Sequence, residues 1–87
     1  MKVVEYVITD PLGLHARPAG VLVKKAAGYQ SSITIKNMET GKVADAKRIM
    51  GVMALGIKQG NNIELSVEGA DEDVAAKELE GFLKENL

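Results

Sequence analysis

Alternation of hydrophobic and polar residues predicts three strands in this chain. Residues 3–9 are rich in β-branched and aromatic residues and end at a turn-prone Asp-Pro-Leu-Gly sequence. Residues 32–36 alternate around two isoleucines, and residues 63–68 alternate three apolar residues with glutamate and serine. Because period-two alternation puts one face of a strand in a core, each segment is expected to be half-buried. Residues 42–44 follow a Glu-Thr-Gly turn and predict a short strand that pairs with residues 32–36 in a hairpin.

A helical period replaces this alternation in three other segments. Residues 16–27 place Ala, Leu and Val side chains on one face and end before Gly28, where a helix would stop. Residues 49–55 are almost entirely apolar, and their methionine and alanine content favours a short helix. A third helix is predicted after Asp71, which is a plausible N-cap. The side chains expected to face inward from this helix are Ala75, Leu79, Phe82 and Leu83.

The predicted order of elements is strand, helix, strand, strand, helix, strand, helix. Such an order is typical of an α+β fold in which the helices pack on one face of a single sheet. The chain has 87 residues, no cysteine and a hydrophobic content of 46%. This size predicts one domain over residues 1–87, stabilised by its core without disulfides.

Charge is distributed unevenly, although the formal net charge is only −1. Residues 11–58 carry eight Lys or Arg against two acids, whereas residues 59–87 carry two Lys against eight acids, giving +6 and −6. A basic block is most often a solvated surface, but it can also steer a chain toward an acidic partner or a phosphate. The three aromatic residues and the lack of a known binding motif argue against nucleic acid as that partner.

The chain is also expected to stay out of membranes. No apolar run approaches the roughly 20 residues of a membrane span. The first six residues are too interrupted by polar side chains for a secretory signal. We therefore expect a cytoplasmic protein with no membrane insertion.

The only histidine, His15, lies between a turn and the predicted start of the first helix. A single histidine is more often structural than catalytic, but its neighbours change this expectation. Pro18 fits the first turn of a helix, where its missing N–H would have no intrahelical partner. With His15 as the N-cap, the N–H groups of Ala16 and Arg17 stay free at the positive end of the helix dipole. They could bind a phosphoryl group carried by the imidazole, and Arg17 adds a forked, charged donor.

Other chemistries of a lone histidine fit less well. A metal site would need further His or Cys ligands at set spacings, and a Ser-His-Asp arrangement would need a serine on a structured elbow. Neither pattern is visible in the sequence. The residues therefore predict a carrier that stores a phosphoryl group on His15 and passes it on, rather than a turnover enzyme, with no metal and no cofactor.

Three segments closely resemble the HPr family of the phosphoenolpyruvate-dependent sugar phosphotransferase system. They read Leu-His-Ala-Arg-Pro-Ala at 14–19, Lys-Arg-Ile-Met-Gly-Val-Met-Ala-Leu-Gly-Ile at 47–57 and Glu-Gly-Ala-Asp-Glu at 68–72. The resemblance spans essentially the whole chain. It implies that enzyme I phosphorylates His15, that Arg17 contacts the phosphate, and that IIA domains of sugar permeases receive it. It also implies an open-faced β-sandwich of four antiparallel strands with three helices on one side, acting as a monomer.

The resemblance further implies that the first two helices form a face on which partners dock. This face maps to Ala16, Gly20, Lys24, Ala27, Lys47, Arg48, Ile49, Met50 and Met53. The alternative is that the methionines simply fill the core. Because so thin a domain cannot bury every side of the second helix, we expect Met50 to be exposed, and methionine suits a surface that accepts several partners.

Arg48 departs from the family pattern. Family members from low-GC Gram-positive bacteria usually carry a regulatory serine at this position, where it also caps the short helix. Its absence is expected to weaken the cap by about 0.5–2 kcal/mol unless Asp45 takes over. We expect the chain to keep the carrier function and to be insensitive to HPr kinase, because the acceptor hydroxyl is missing.

Three alternative functions stay open at this point. A regulatory paralogue could act by protein binding, although such proteins tend to lose the histidine and keep the serine, and this chain does the reverse. A carrier of the nitrogen-related branch would use the same chemistry with different partners. A simple binding module would need His15 only as a structural residue.

Overall fold

The computed structural model describes residues 1–87 and contains seven elements in the predicted order. The strands are β1 (Lys2–Val7), β2 (Ser32–Asn37), β3 (Val43–Asp45) and β4 (Asn62–Glu68). The helices are α1 (Ala16–Ala27), α2 (Ile49–Met53) and α3 (Glu72–Asn86). The predicted bounds of α1 are confirmed, whereas α2 is shorter than predicted because Ala54 already forms its C-cap. No helix combines the length and the apolar character needed to cross a membrane.

The four strands form one antiparallel sheet in the order β1-β4-β2-β3. The predicted hairpin is confirmed, since Ile35 pairs with Ala44 across β2 and β3. At the centre of the sheet Ile35 also pairs with Leu65 of β4, and both side chains are fully buried beneath the helices. Residues that alternate with these point to the open face. The chain therefore has the α+β open-faced sandwich expected from its sequence.

Apolar stripes on the helices close the core over the buried face of the sheet. Ala19, Leu22 and Ala26 are fully buried on α1, as the helical period predicts. The inward residues predicted for α3 are buried as well. α1 packs against both other helices, and His15 lies at its N-terminus.

Asp71 has a different role from the one its position predicts. It occupies the N-cap of α3, but its side chain makes no capping hydrogen bond. Its carboxylate instead accepts the N–H groups of Gln30 and Ser31 at 2.9 Å, and also the Ser31 hydroxyl. Ser31 is fully buried, and a buried donor left without a partner costs about 1–3 kcal/mol. The carboxylate therefore ties the start of α3 to the start of β2.

The pH dependence of unfolding should show how much the hydrogen bonds of the Asp71 carboxylate contribute to stability. The Ser31 hydroxyl and then the Gln30 amide hold the pKa of Asp71 below its usual range. A carboxylate whose pKa is lowered on folding stabilises the protein at pH values above its unfolded-state pKa. This stabilisation is lost as the pH falls through the pKa of the folded state. We expect urea unfolding to show falling stability below about pH 4. In Asp71→Asn this acid loss should shrink, and a variant with the full wild-type acid loss would contradict the assignment.

Candidate functional site

His15 is the N-cap of α1, as the sequence predicts. Its backbone is extended, with φ −87° and ψ −179°, and its carbonyl accepts the Ala19 N–H at 2.9 Å. The imidazole makes no capping hydrogen bond, and 35% of the side chain is exposed. The N–H groups of Ala16 and Arg17 belong to the first turn, so they have no intrahelical acceptor. An exposed ring and free helix amides therefore lie at the same point of the surface.

The loop that precedes His15 packs against the connection between α2 and β4. Gly13 adopts φ +67°, and a Cβ added there would lie 2.5 Å from the Ile57 carbonyl oxygen. The next residue, Leu14, is buried and donates its N–H to the same carbonyl at 3.1 Å. The close approach requires glycine and fixes the start of α1 relative to the sheet.

Asp10 is a site residue that no sequence pattern predicts. Its Oδ2 lies 3.7 Å from Nε2 of His15, and its Oδ1 accepts the Leu12 N–H at 2.8 Å. Its place in the Asp-Pro-Leu-Gly segment indicates only a turn residue after β1. The available signal was an acidic residue in the loop that precedes His15. The direction in which its carboxylate points depends on how that loop folds.

A shallow depression of about 230 Å³ lies beside the ring. Asp10, His15 and Arg17 line it, and Val21 of α1 and Phe82 of α3 are its apolar part. The depression brings one negative group and one positive group next to the imidazole. No group of three or more His, Cys, Asp or Glu that could hold a metal ion occurs in the molecule. The arrangement suits an anionic group that is attached to the ring and must remain accessible.

We define the α1–α2 face as the nine predicted docking residues. Except for the half-buried Lys47, they are all exposed, and Met50 has 80% of its surface accessible. Met53 and Ile49 are exposed as well, while Val52 of the same helix is buried in the core. The predicted exposure of Met50 is confirmed, and the alternative that these methionines fill the core is wrong. The use of the face for docking stays a prediction.

Arg48 is the N-cap of α2 and supplies no side-chain cap. The suggestion that Asp45 takes over this role is wrong, because its Oδ1 accepts the N–H of Lys47, which precedes the helix. The other oxygen of Asp45 lies 3.7 Å from Nε of Arg48. The short helix therefore begins with a cation at its positive end and without an acid in its first turn.

Comparison with known proteins gives a consistent result. The family model for the PTS HPr component phosphorylation site matches residues 3–85. A phosphocarrier protein HPr of Lysinibacillus sphaericus is 47% identical over 85 residues, which cover 98% of this chain and 94% of the relative. A structure of HPr-C-His from Thermoanaerobacter tengcongensis aligns with a TM-score of 0.89 at 43% identity, over 97% of this chain and 92% of that one.

A regulatory relative has the same fold. The structure of Crh, a catabolite repression protein of Bacillus subtilis, aligns with a TM-score of 0.75 at 34% identity. The alignment covers 88% of this chain and 86% of that chain, which is described as an intertwined dimer with a swapped domain. Carriers and a catabolite repression protein therefore share this architecture.

Proposed function

Because the chain belongs to the HPr family of the phosphotransferase system, we propose that His15 accepts a phosphoryl group from enzyme I and donates it to IIA domains of sugar permeases. In this proposal the protein is a cytoplasmic monomer. The observation that carries it is the exposed imidazole at the N-cap of α1, next to two amides without intrahelical acceptors. Transfer of labelled phosphate from phosphoenolpyruvate, through enzyme I, tests it.

The two ring nitrogens of His15 differ in their surroundings. Nε2 faces the Asp10 carboxylate, which would repel a phosphoryl dianion placed between them. Nδ1 is bonded to Cγ, one bond closer to the backbone than Nε2, and is not the nitrogen that the carboxylate approaches. A nucleophilic nitrogen needs a free lone pair, so Nδ1 is the proposed point of attack.

Phosphoryl transfer then proceeds without a cofactor. The Nδ1 lone pair forms a bond to phosphorus as the bond to the donor breaks and its electron pair returns to the donor. The amides at the helix N-terminus receive phosphoryl oxygens, and the Arg17 guanidinium offsets their charge. Transfer from His15 to a IIA domain is the same step in the opposite direction. It needs only a nucleophile of the IIA domain on the open side of the depression. A shallow site serves both half-reactions.

The α1–α2 face is the proposed docking surface for both partners. Met50 and Met53 are flexible apolar side chains that can adapt to more than one partner surface. Lys24 and Arg48 are exposed members of the same face and add positive charge to it, which favours acidic partners. Since the face begins at Ala16, a docked partner would lie directly above His15.

Truncation of Met50 should weaken docking without affecting the fold. Met50 is the most exposed large apolar residue of the molecule, so Met50→Ala removes partner contact rather than core packing. We expect the KM of enzyme I for this protein as substrate to rise by about fivefold to tenfold, as for a central interface residue. Val74→Ala is the matched control, since Val74 is 55% exposed on α3, which contributes no residue to this face. Equal effects of the two variants would contradict the docking assignment.

Arg48 supports a second part of the proposal, that no kinase regulates this chain at the start of α2. Arginine offers no hydroxyl to phosphorylate, and 81% of its side chain is exposed at the position concerned. With HPr kinase and ATP, we expect no phosphoserine in the wild type and stoichiometric phosphoserine in Arg48→Ser. Mass spectrometry locates the group. Phosphoserine at Ser31, Ser32 or Ser66 of the wild type would defeat this proposal.

The likeness to Crh supports one alternative, a regulatory protein that acts by binding. The carrier is favoured because the chain keeps the histidine and has arginine at the serine position. A carrier of the nitrogen-related branch is the other alternative. Competition between IIA domains of sugar permeases and of that branch for the phosphorylated protein distinguishes the two carriers.

A further inference from the structure

The carboxylate of Asp10 is held in one direction by the loop around it. The Asp10 N–H donates to the Leu87 carbonyl at 2.9 Å, and the Asp10 carbonyl accepts the Gly13 N–H at 2.9 Å. Oδ1 accepts the Leu12 N–H at 2.8 Å. Only Oδ2 is left, and it lies 3.7 Å from Nε2 of His15, the sole ion-pair contact of this carboxylate. Backbone geometry thus aims one oxygen at one ring nitrogen.

We propose that Asp10 is a positioning residue that keeps the proton of His15 on Nε2 and leaves the Nδ1 lone pair free for phosphorus. The inference rests on the proposed carrier function of His15. A carboxylate can accept a proton but has none to donate, so it favours an N–H at Nε2 over a lone pair there. The same relation between carboxylate and imidazole fixes the tautomer in hydrolytic triads.

The distance of 3.7 Å defines how the two groups interact in the free protein. It exceeds the 2.7–3.2 Å of a direct N–H···O hydrogen bond, so the contact is electrostatic or bridged by a water molecule. Both side chains are partly shielded, with 35% of His15 and 25% of Asp10 exposed. Contacts of this kind tighten when a catalytic complex forms, and docking of a partner over the ring would shield them further.

Asp10 also has a role when the phosphoryl group arrives. Attack by Nδ1 forms the N–P bond, the donor keeps the electron pair of the broken bond, and the proton stays on Nε2. The ring consequently becomes positive as the transfer proceeds. The Asp10 carboxylate faces that charge and stabilises it, while Arg17 and the helix amides face the phosphoryl oxygens. Positive and negative charges that develop together each meet a group of opposite sign.

Asp10→Asn is the sharpest test, because the loop determines which way the amide points. The Leu12 N–H still requires an acceptor, so the amide oxygen stays there and the NH₂ group turns toward Nε2. A donor in that place favours a lone pair on Nε2 and moves the proton to Nδ1. Asp10→Ala is the matched control, since it removes the carboxylate without supplying a donor.

Two measurements read the effect. Nitrogen NMR of the His15 ring at about pH 8.5, where an ordinary imidazole is neutral, gives the tautomer directly. We expect the Nε2–H form to predominate in the wild type and the Nδ1–H form to increase in Asp10→Asn. Single-turnover phosphorylation by enzyme I should slow by about tenfold or more in Asp10→Asn, and by less in Asp10→Ala.

A merely structural role gives a different pattern. If both variants kept the wild-type tautomer and slowed transfer equally, in step with lost thermal stability, Asp10 would only anchor the loop and the inference would be overturned. The outcome for the proposed function is separate. A tautomer shift in a protein that enzyme I never phosphorylates would support the positioning role and reject the carrier.

Discussion

The His15→Ala variant is expected to accept no phosphoryl group from enzyme I while it keeps the wild-type fold. His15 is the only histidine, so no other imidazole can substitute for it. Its side chain is partly exposed and makes no capping hydrogen bond, so its removal should change stability by only about 0.5 kcal/mol. Incorporation of labelled phosphate, measured beside thermal unfolding, separates chemistry from folding.

His15→Asn provides the matched control for this loss. Asparagine is among the best N-cap residues, so this variant preserves or improves the start of α1 while it removes the nucleophilic nitrogen. Both variants should be inactive. If His15→Asn still carried phosphate, or if partner-dependent function survived His15→Ala, the histidine would be structural and the binding-module alternative would be correct.

Gly13→Ala is expected to lower the free energy of unfolding by about 2–4 kcal/mol, which combines a left-handed backbone penalty with forced overpacking. The added Cβ would lie 2.5 Å from the Ile57 carbonyl oxygen and 2.8 Å from Cα of Lys58. Both are backbone atoms, which cannot turn aside. The loop must move, so the Leu14 N–H loses its acceptor and His15 shifts with α1. Slower phosphorylation should accompany the lost stability.

Gly41→Ala isolates the effect of the clash. Gly41 has φ +77°, close to the +67° of Gly13, but a Cβ there meets nothing within 4 Å. It lies in the turn between β2 and β3, outside the loop that leads to His15. We expect a loss of about 1 kcal/mol and normal phosphorylation. Equal losses in urea unfolding would show that backbone conformation, and not the contact with Ile57, makes glycine necessary at residue 13.

Much of the fold is predictable because its signals are local. Alternation around Ile33 and Ile35 already places β2, and the apolar spacing of residues 16–27 gives α1 with its true ends. The N-cap position of His15 is compatible with Pro18, which lies in the first turn of α1, where a missing N–H costs no intrahelical hydrogen bond. The central residue of the site and the free amides beside it were therefore predictable without knowledge of the tertiary structure.

The contacts that local rules missed are polar and long-range. Asp71 has the sequence position of a cap. Its carboxylate instead accepts hydrogen bonds from Gln30 and Ser31, about 40 residues away along the chain. Asp10 reads as a turn residue, and its direction toward His15 depends on the contact with Leu87 at the other end of the chain. Apolar periodicity says which face is buried, but it does not say which donors a tertiary contact brings to a given carboxylate.

Labelled phosphoenolpyruvate and enzyme I, followed by a chase with a IIA domain, test whether His15 carries a phosphoryl group from one protein to another. We expect one acid-labile, base-stable phosphate per chain, located on His15 by mass spectrometry and lost when the IIA domain is added. Failure of His15 to take up label from an enzyme I that phosphorylates another HPr in the same assay would contradict it.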